Sequence, residues 1–301
     1  MHGVVVVGES LIDLVAAADG RSFTAHPGGS PANVAVGLAR LGVPVTLHTA
    51  LAADHFGRLV ESHVTDSGVR LAPHRTEHTS LAVVTLDGQG VPEYDFRLTW
   101  DIGEVPLNAA CLHTGSLAAA LPPGASAVEA LMSATSATVT YDPNIRPPLM
   151  GEPAGARARV ERQVALSDVV KVSEEDLAWL YPGEDAEEVA ASWRSSGPAL
   201  VILTLGENGC TALTAHGRLH RPGIRVKVAD TVGAGDAFMS GLLSALHAGD
   251  HLGGRVAVPR DALPGILDTA LRSAAITCTR PGADPPTQAE LAGLRLQEAR
   301  P

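Results

Sequence analysis

A chain of 301 residues, 45% hydrophobic and with 31 glycines, is long enough to bury a sizeable core as one large α/β domain carrying a small appendage. Its formal net charge of -11 excludes a general nucleic-acid or anionic-membrane surface, both of which need clustered cations, so any anionic ligand must be held locally. Aromatic content of only 3% implies that helices pack through small side chains rather than large rings.

Val4-Val5-Val6-Val7 is a continuous β-branched run bounded by glycines, the pattern of a strand buried on both faces of a parallel sheet. The apolar run 3–8 is too short to span a bilayer and no basic segment precedes it, so a cytoplasmic protein is expected. In Glu9-Ser10-Leu11-Ile12-Asp13, Asp13 can receive two hydroxyls of a polyol; a helix cap or surface turn accounts for it equally well. Residues 14–25 and 80–98 read as short alternating strands, with a turn at Asp87-Gly88-Gln89-Gly90 and no helix within them. They make one β appendage, approximately 14–25 and 74–100, that leaves the sheet where open α/β folds bind ligands and so can cover a cleft; ordinary surface hairpins are the alternative. Arg97, in Tyr94-Asp95-Phe96-Arg97, is either a cation brought over that cleft or an edge-strand charge that prevents aggregation.

Between these segments, Gly28-Gly29-Ser30-Pro31-Ala32-Asn33 opens a helix over 32–41, with Ser30 expected as N-cap, Pro31 at the first helical position and Gly42 closing it. The two glycines let the backbone press against a ligand, and Asn33 offers a donor and an acceptor that suit sugar hydroxyls. A plain tight turn competes with this account. A strand over 43–50 and a helix over 55–67 after Asp54 continue the alternation of βαβ units.

Further strands fall near 111–113, 138–142, 169–172 and 200–204, with helices over 125–134, 154–166 and 186–195. Tyr141-Asp142-Pro143-Asn144-Ile145-Arg146 ends a central strand. There Asn144 and Arg146 place an amide beside a guanidinium, fit for phosphoryl oxygens or a polar substrate, unless the segment is a structural Asp-Pro turn. Ser173-Glu174-Glu175-Asp176 begins a helix whose carboxylates either hold magnesium through water or cap the helix and match its dipole. Thr204-Leu205-Gly206-Glu207-Asn208-Gly209 reads as a glycine turn that can border a nucleotide, followed by hairpin strands over 210–213 and 219–228.

Asp230-Thr231-Val232-Gly233-Ala234-Gly235-Asp236-Ala237-Phe238 carries the most chemistry. Gly233 and Gly235 let an anion approach the peptide N–H groups that open the next helix, where unpaired donors and the aligned dipoles favour phosphate. A carboxylate beside a phosphate repels it unless it has a task, and Asp236 can accept a proton from an attacking hydroxyl; a capped helix start is the competing account. Lys171 and Lys227, the only lysines, fit neither a P-loop nor a protein-kinase pattern, so phosphate must meet backbone N–H groups, arginines or a metal. Cys111, Cys210 and Cys278 lack paired spacing and read as reduced, buried thiols, and His216 and His220 fall in a strand-like stretch unsuited to one-face metal ligation.

In this order the segments resemble the ribokinase and fructokinase family of ATP-dependent carbohydrate kinases over essentially the whole chain. Residues 142–147 and Phe96-Arg97 look most like fructokinases. The resemblance implies an α/β fold, a doubly wound mostly parallel sheet with a small β lid, in a single domain over 1–301. It implies ATP bound toward the C-terminal half at Thr204, Gly206 and Gly209 with Gly233 and Gly235, and a sugar between core and lid at Asp13, Gly28, Gly29, Asn33, Arg97, Asn144 and Arg146. Asp236 would be the base, with the N–H groups of Gly233, Ala234 and Gly235 stabilising the transferring phosphoryl. Mg2+ would be held through water at Asp176, although this chain has Ser173-Glu174-Glu175-Asp176 where many relatives carry Asn-x-x-Glu, and K+ near Asp230 and Val232.

Fructose is the expected acceptor, with 2-keto-3-deoxygluconate, ribose or a nucleoside as alternatives. A homodimer through the lid edge, which would hide its unpaired strand groups, is a further expectation. Outside the class, a non-catalytic sugar or nucleotide sensor would have no use for Asp236. A nicotinamide-dependent oxidoreductase would need GxGxxG where Gly8-Glu9-Ser10 stands.

Overall fold

A computed structural model describes residues 3–17, 19–86 and 92–293. In chain order its strands are β1 (Val4–Val7), β2 (Leu11–Ala16), β3 (Phe23–Gly28), β4 (Val45–Ala52), β5 (Arg70–Thr76), β6 (Leu81–Leu86) and β7 (Pro92–Arg97). They continue as β8 (Cys111–Gly115), β9 (Thr138–Asp142), β10 (Val169–Ser173), β11 (Leu200–Thr204), β12 (Cys210–Thr214) and β13 (Gly217–Arg221). The main sheet has the order β13-β12-β11-β10-β9-β8-β1-β4-β5. It is parallel from β11 to β5, and β12 and β13 join antiparallel.

β1 shows why both faces are covered. Val4 and Val6 point into one apolar cluster with Leu38, Phe238 and Met239, while Val5 and Val7 point into another with Leu112, Tyr141 and Leu177. A strand places successive side chains on opposite faces, so a run of four valines feeds two cores at once. From β1 the winding goes one way to β4 and β5 and the other way to β8, so β1 and β8 flank the point where ligands bind in open sheets, at the carboxyl ends of the strands.

The appendage is a separate four-stranded sheet, β3-β2-β6-β7, in which β2 and β6 are parallel and the outer pairs antiparallel. Asp13 lies within β2, opposite His26 of β3, which removes the helix-cap and turn readings for it. Residues 74–76 belong instead to β5 on the edge of the main sheet, a strand whose polar Arg70-Leu71-Ala72-Pro73-His74-Arg75-Thr76 sequence gives little alternating signal. The expected turn at 87–90 lies outside the described residues.

Two local expectations are corrected. The helix Ser30–Arg40 begins one residue early: Gly29, at φ 105°, occupies the cap position, and Ser30 makes no cap bond because its hydroxyl goes elsewhere. The strand expected over 219–228 stops at Arg221, where Pro222 and Gly223 end the ladder. Asp54 does cap the helix His55–Asp66, accepting the Gly57 N–H at 2.7 Å. The three thiols are free, Cys111 and Cys210 buried and Cys278 half-buried. Among the described residues no helix is long and apolar enough to cross a membrane.

Candidate active site

Two helix starts meet at the carboxyl end of the sheet. Gly233, left-handed at φ 74°, turns the chain into the helix Ala234–Ala248 and leaves Asp236 in its first turn. A Cβ on Gly233 would sit 2.5 Å from that of Ala283, so the turn needs glycine both for its dihedral and for its space. On the other side, a Cβ on Gly29 would lie 2.7 Å from the carbonyl oxygen of Glu9. These close approaches bring Ser30 and Asn33 onto Asp236: the Ser30 hydroxyl donates to Oδ1 at 2.7 Å and the Asn33 amide donates to Oδ2 at 2.8 Å. Asp236 is 8% exposed. Burial pushes its carboxyl above the ordinary aspartate range, against the bonds from Asn33 and Ser30 and the charges of Lys171 and Arg146.

The other residues expected from the sequence divide. Asp13 stands close to Gly28, since a Cβ there would fall 2.5 Å from Asp13 Oδ2. Burial raises the Asp13 carboxyl, and His26 and Arg146 oppose that rise. Arg146 therefore faces the field shared by Asp13, Glu9 and Asp236, although it is exposed and its guanidinium donates to Asn144 Oδ1 at 2.7 Å. Asn144 itself is left-handed at φ 40°. Among the described residues no bond brings Arg97 to this cluster; it pairs with Asp95 of the same strand at 2.7 Å, both side chains exposed.

On the nucleotide side, Gly206 has φ 54° and open space where a side chain would be, so backbone is presented directly. Gly209 is glycine for another reason: a Cβ there would lie 2.1 Å from the carbonyl oxygen of Arg221. Thr204 closes β11 with its hydroxyl donating to the Val172 carbonyl at 3.4 Å.

Asp176 is occupied structurally. One oxygen accepts the Ile145 N–H at 2.8 Å and the other the Ser173 N–H, completing a capping box that ties the segment after β9 to the helix Glu174–Leu180. The capping alternative thus holds for its first contacts. Asp230 bridges loops in the same way, accepting the Val232 and Gly282 N–H groups at 3.0 and 2.8 Å. Burial would raise its carboxyl, but those N–H groups outweigh it and hold it low. Val232 is exposed. No cluster of three or more His, Cys, Asp or Glu fit for a metal occurs among the described residues.

Two buried charges escaped the sequence reading. Glu9, just after β1, accepts the Ala118 N–H at 2.9 Å at the point where the winding reverses. Lys171, inside the apolar strand β10, donates to Asp142 Oδ2 at 2.8 Å. A lysine within a β-branched run is the signal that would have shown the second, because such a charge persists only with a partner. Burial pushes Asp142 up to about 6, against the pull of Lys171. A cleft of about 310 Å³ lined by Ala110, Ser136, His247 and Asp250 lies at the amino ends of β8 and β9, the opposite end of the sheet from Asp236.

The pfkB family carbohydrate kinase pattern matches residues 1–290. The chain belongs to the pfkB family of carbohydrate kinases. This kinase is 33% identical over 258 residues to a fructokinase of Rhizobium leguminosarum bv. trifolii, covering 81% of this chain and 79% of that protein. The solved structure of a Xylella fastidiosa fructokinase with bound ATP superposes with a TM-score of 0.86 at 27% identity, covering 97% of this chain and 98% of that one. A Vibrio cholerae O395 fructokinase in its fructose, ADP and calcium ion bound form gives 0.80 at 31% identity, with 97% and 98% covered. The kinase is accordingly a phosphotransferase acting on a sugar hydroxyl, built on the ribokinase-like fold.

Proposed function

We propose that the kinase transfers the γ-phosphoryl group of ATP to a hydroxyl of fructose. The carrying observation is the placement of Asp236: one carboxylate at a helix mouth, held by Ser30 and Asn33 on the helix that follows Gly28 and Gly29. On this reading Asp236 is the proton acceptor between a sugar side, with Asp13 and Asn33, and a phosphate side formed by the N–H groups of Gly233, Ala234 and Gly235. The hydroxyl oxygen attacks phosphorus in line while Asp236 takes its proton, and the helix N–H groups stabilise charge on the transferring oxygens. Fixed positioning supplies much of the rate.

Fructose is favoured over a sugar acid by the balance of charge. Of the candidate sugar-side cations, Arg97 is paired with Asp95, and the one remaining, Arg146, is exposed and acts electrostatically on three carboxylates, Glu9, Asp13 and Asp236, so negative groups outnumber cations there. The names of the relatives and of the bound Vibrio cholerae structure support the same acceptor. ATP would lie along Thr204 and Gly206. Asp142 Oδ1 is buried without a partner among the described residues, and the site is lined with carboxylates, which suits a hard divalent cation that keeps water and arrives with the nucleotide phosphates. Asp142 and Asp176 would hold Mg2+ through water, where it would neutralise phosphate charge. Asp230 and the Val232 carbonyl would serve K+.

The test is a panel of fructose, ribose, a nucleoside and 2-keto-3-deoxygluconate with MgATP, scored by ADP release. Fructose should give stoichiometric ADP; a stronger response to another sugar overturns this acceptor, and tight binding with no ADP points to a sensor.

A further inference from the structure

Lys171 has no packing reason to be where it is. It stands between Val170 and Val172 in β10, and a buried charge costs several kcal/mol even when paired, so an apolar residue would serve the strand as well. With side chains 5% and 2% exposed, Lys171 and Asp142 form the most buried ion pair among the described residues. The β9–β10 register pairs Val170 with Tyr141, which sets Asp142 and Lys171 side by side on the face that the helix Ala234–Ala248 covers. Asp142 is the one hydrogen-bond partner of the ammonium among the described residues, and an ammonium has three donors. The remaining donors face the first turn of that helix: a Cβ on Gly235 would lie 3.1 Å from Lys171 Nζ.

We propose that Lys171 is a catalytic residue of the phosphoryl transfer, its ammonium facing the transferring group at the mouth of the Ala234–Ala248 helix, and that Asp142 is the positioning residue that holds it there. The inference rests on the kinase reading above. In the step, the sugar oxygen forms a bond to the γ-phosphorus as the bond to the β–γ bridging oxygen breaks. ADP leaves with that electron pair, the hydroxyl proton passes to Asp236, and Lys171 stays an ammonium throughout. Three carboxylates, Asp142, Asp176 and Asp236, act on Lys171 at this corner. A phosphoryl group entering without the lysine would meet mostly negative side chains. With it, charge spreading over the equatorial oxygens meets a fixed cation where water is excluded and its effect is large. Gly235 then has a second function, since its missing Cβ leaves room for the ammonium.

The decisive comparison is Lys171→Met, Asp142→Asn and the double variant Lys171→Met/Asp142→Asn, which removes both charges and strands neither. The double variant should keep a melting temperature near wild type and lose about 10²- to 10³-fold in kcat, the loss typical of one transition-state donor. Its KM for sugar should change little, and Asp142→Asn alone, read like the others at saturating Mg2+ because its free oxygen is also proposed for the metal, should lose less than Lys171→Met. A folded double variant with wild-type kcat, or a loss confined to KM, overturns the inference. For variants too unstable for steady-state assay, binding at low temperature separates the cases. MgADP with fluoroaluminate, a mimic of the transferring group, should bind Lys171→Met more weakly while MgADP alone binds as to wild type; equal weakening of both overturns the proposal. Wild-type protein that releases no ADP with any sugar sinks the kinase reading and this inference together, whereas an active wild type with an equally active double variant sinks this inference alone.

Discussion

Asn33 and Asp236 lie 203 residues apart in sequence, yet the amide of one donates to the carboxylate of the other at 2.8 Å. That bond joins the first turns of two helices and fixes the orientation of the carboxylate proposed as the base. It also keeps the carboxylate pointed while leaving it able to accept a proton on its second lone pairs.

Replacing the base is the most direct check. Asp236→Asn should lower kcat by about 10² to 10⁴, the contribution typical of general-base catalysis, with ATP binding retained. Steady-state kinetics paired with a nucleotide-binding titration separates the two effects, and retained turnover would leave Asp236 as a structural tie between two helix starts through Ser30 and Asn33.

The pH profile carries a sign. Burial holds Asp236 above its ordinary value, and the Ser30 and Asn33 bonds, with Lys171 and Arg146, pull it down. The reaction needs the ionised form, so activity is present above the folded pKa and lost as pH falls through it. Asn33→Ala and Ser30→Ala each remove a lowering contact, and each should move the acid limb of kcat/KM to higher pH. A limb that stays put or moves down would mean that another group controls it.

Asp13 should report on sugar binding. Losing a charged hydrogen bond costs about 1.5–3 kcal/mol, so Asp13→Asn should raise the KM for sugar by about 10- to 100-fold with a smaller effect on the KM for MgATP. Equal change in both constants would place Asp13 outside the sugar side.

Gly29 tests backbone geometry rather than chemistry. At φ 105°, and with a Cβ meeting the Glu9 carbonyl at 2.7 Å, Gly29→Ala combines dihedral strain with a clash against backbone. A loss of about 1–3 kcal/mol for the dihedral alone is expected, visible in denaturant unfolding. A variant as stable as wild type would show that the turn can relax.

How much was legible follows from the range of each signal. The four valines of β1, the Asp54 cap and the Gly233 turn are written in neighbouring residues, because period, capping and left-handed dihedrals are local physics. β5 was missed because a polar edge strand has no apolar face to alternate. Ser30 was misread because its local environment suits an N-cap, and only the fold reveals a stronger acceptor 206 residues away.

The sequence by itself determined the alternation of strands and helices, the glycines at both helix mouths and the presence of a lone aspartate where an anion would sit. Tertiary structure decided which of these meet. It tied Asp236 to Ser30 and Asn33, turned Asp176 inward to cap a helix, left Arg97 paired with Asp95, and seated Lys171 on Asp142 beside Gly235. The division is physical: backbone preferences act over a few residues, whereas the partner of a buried charge is chosen by whichever distant strand or helix the packed core brings within about 3 Å.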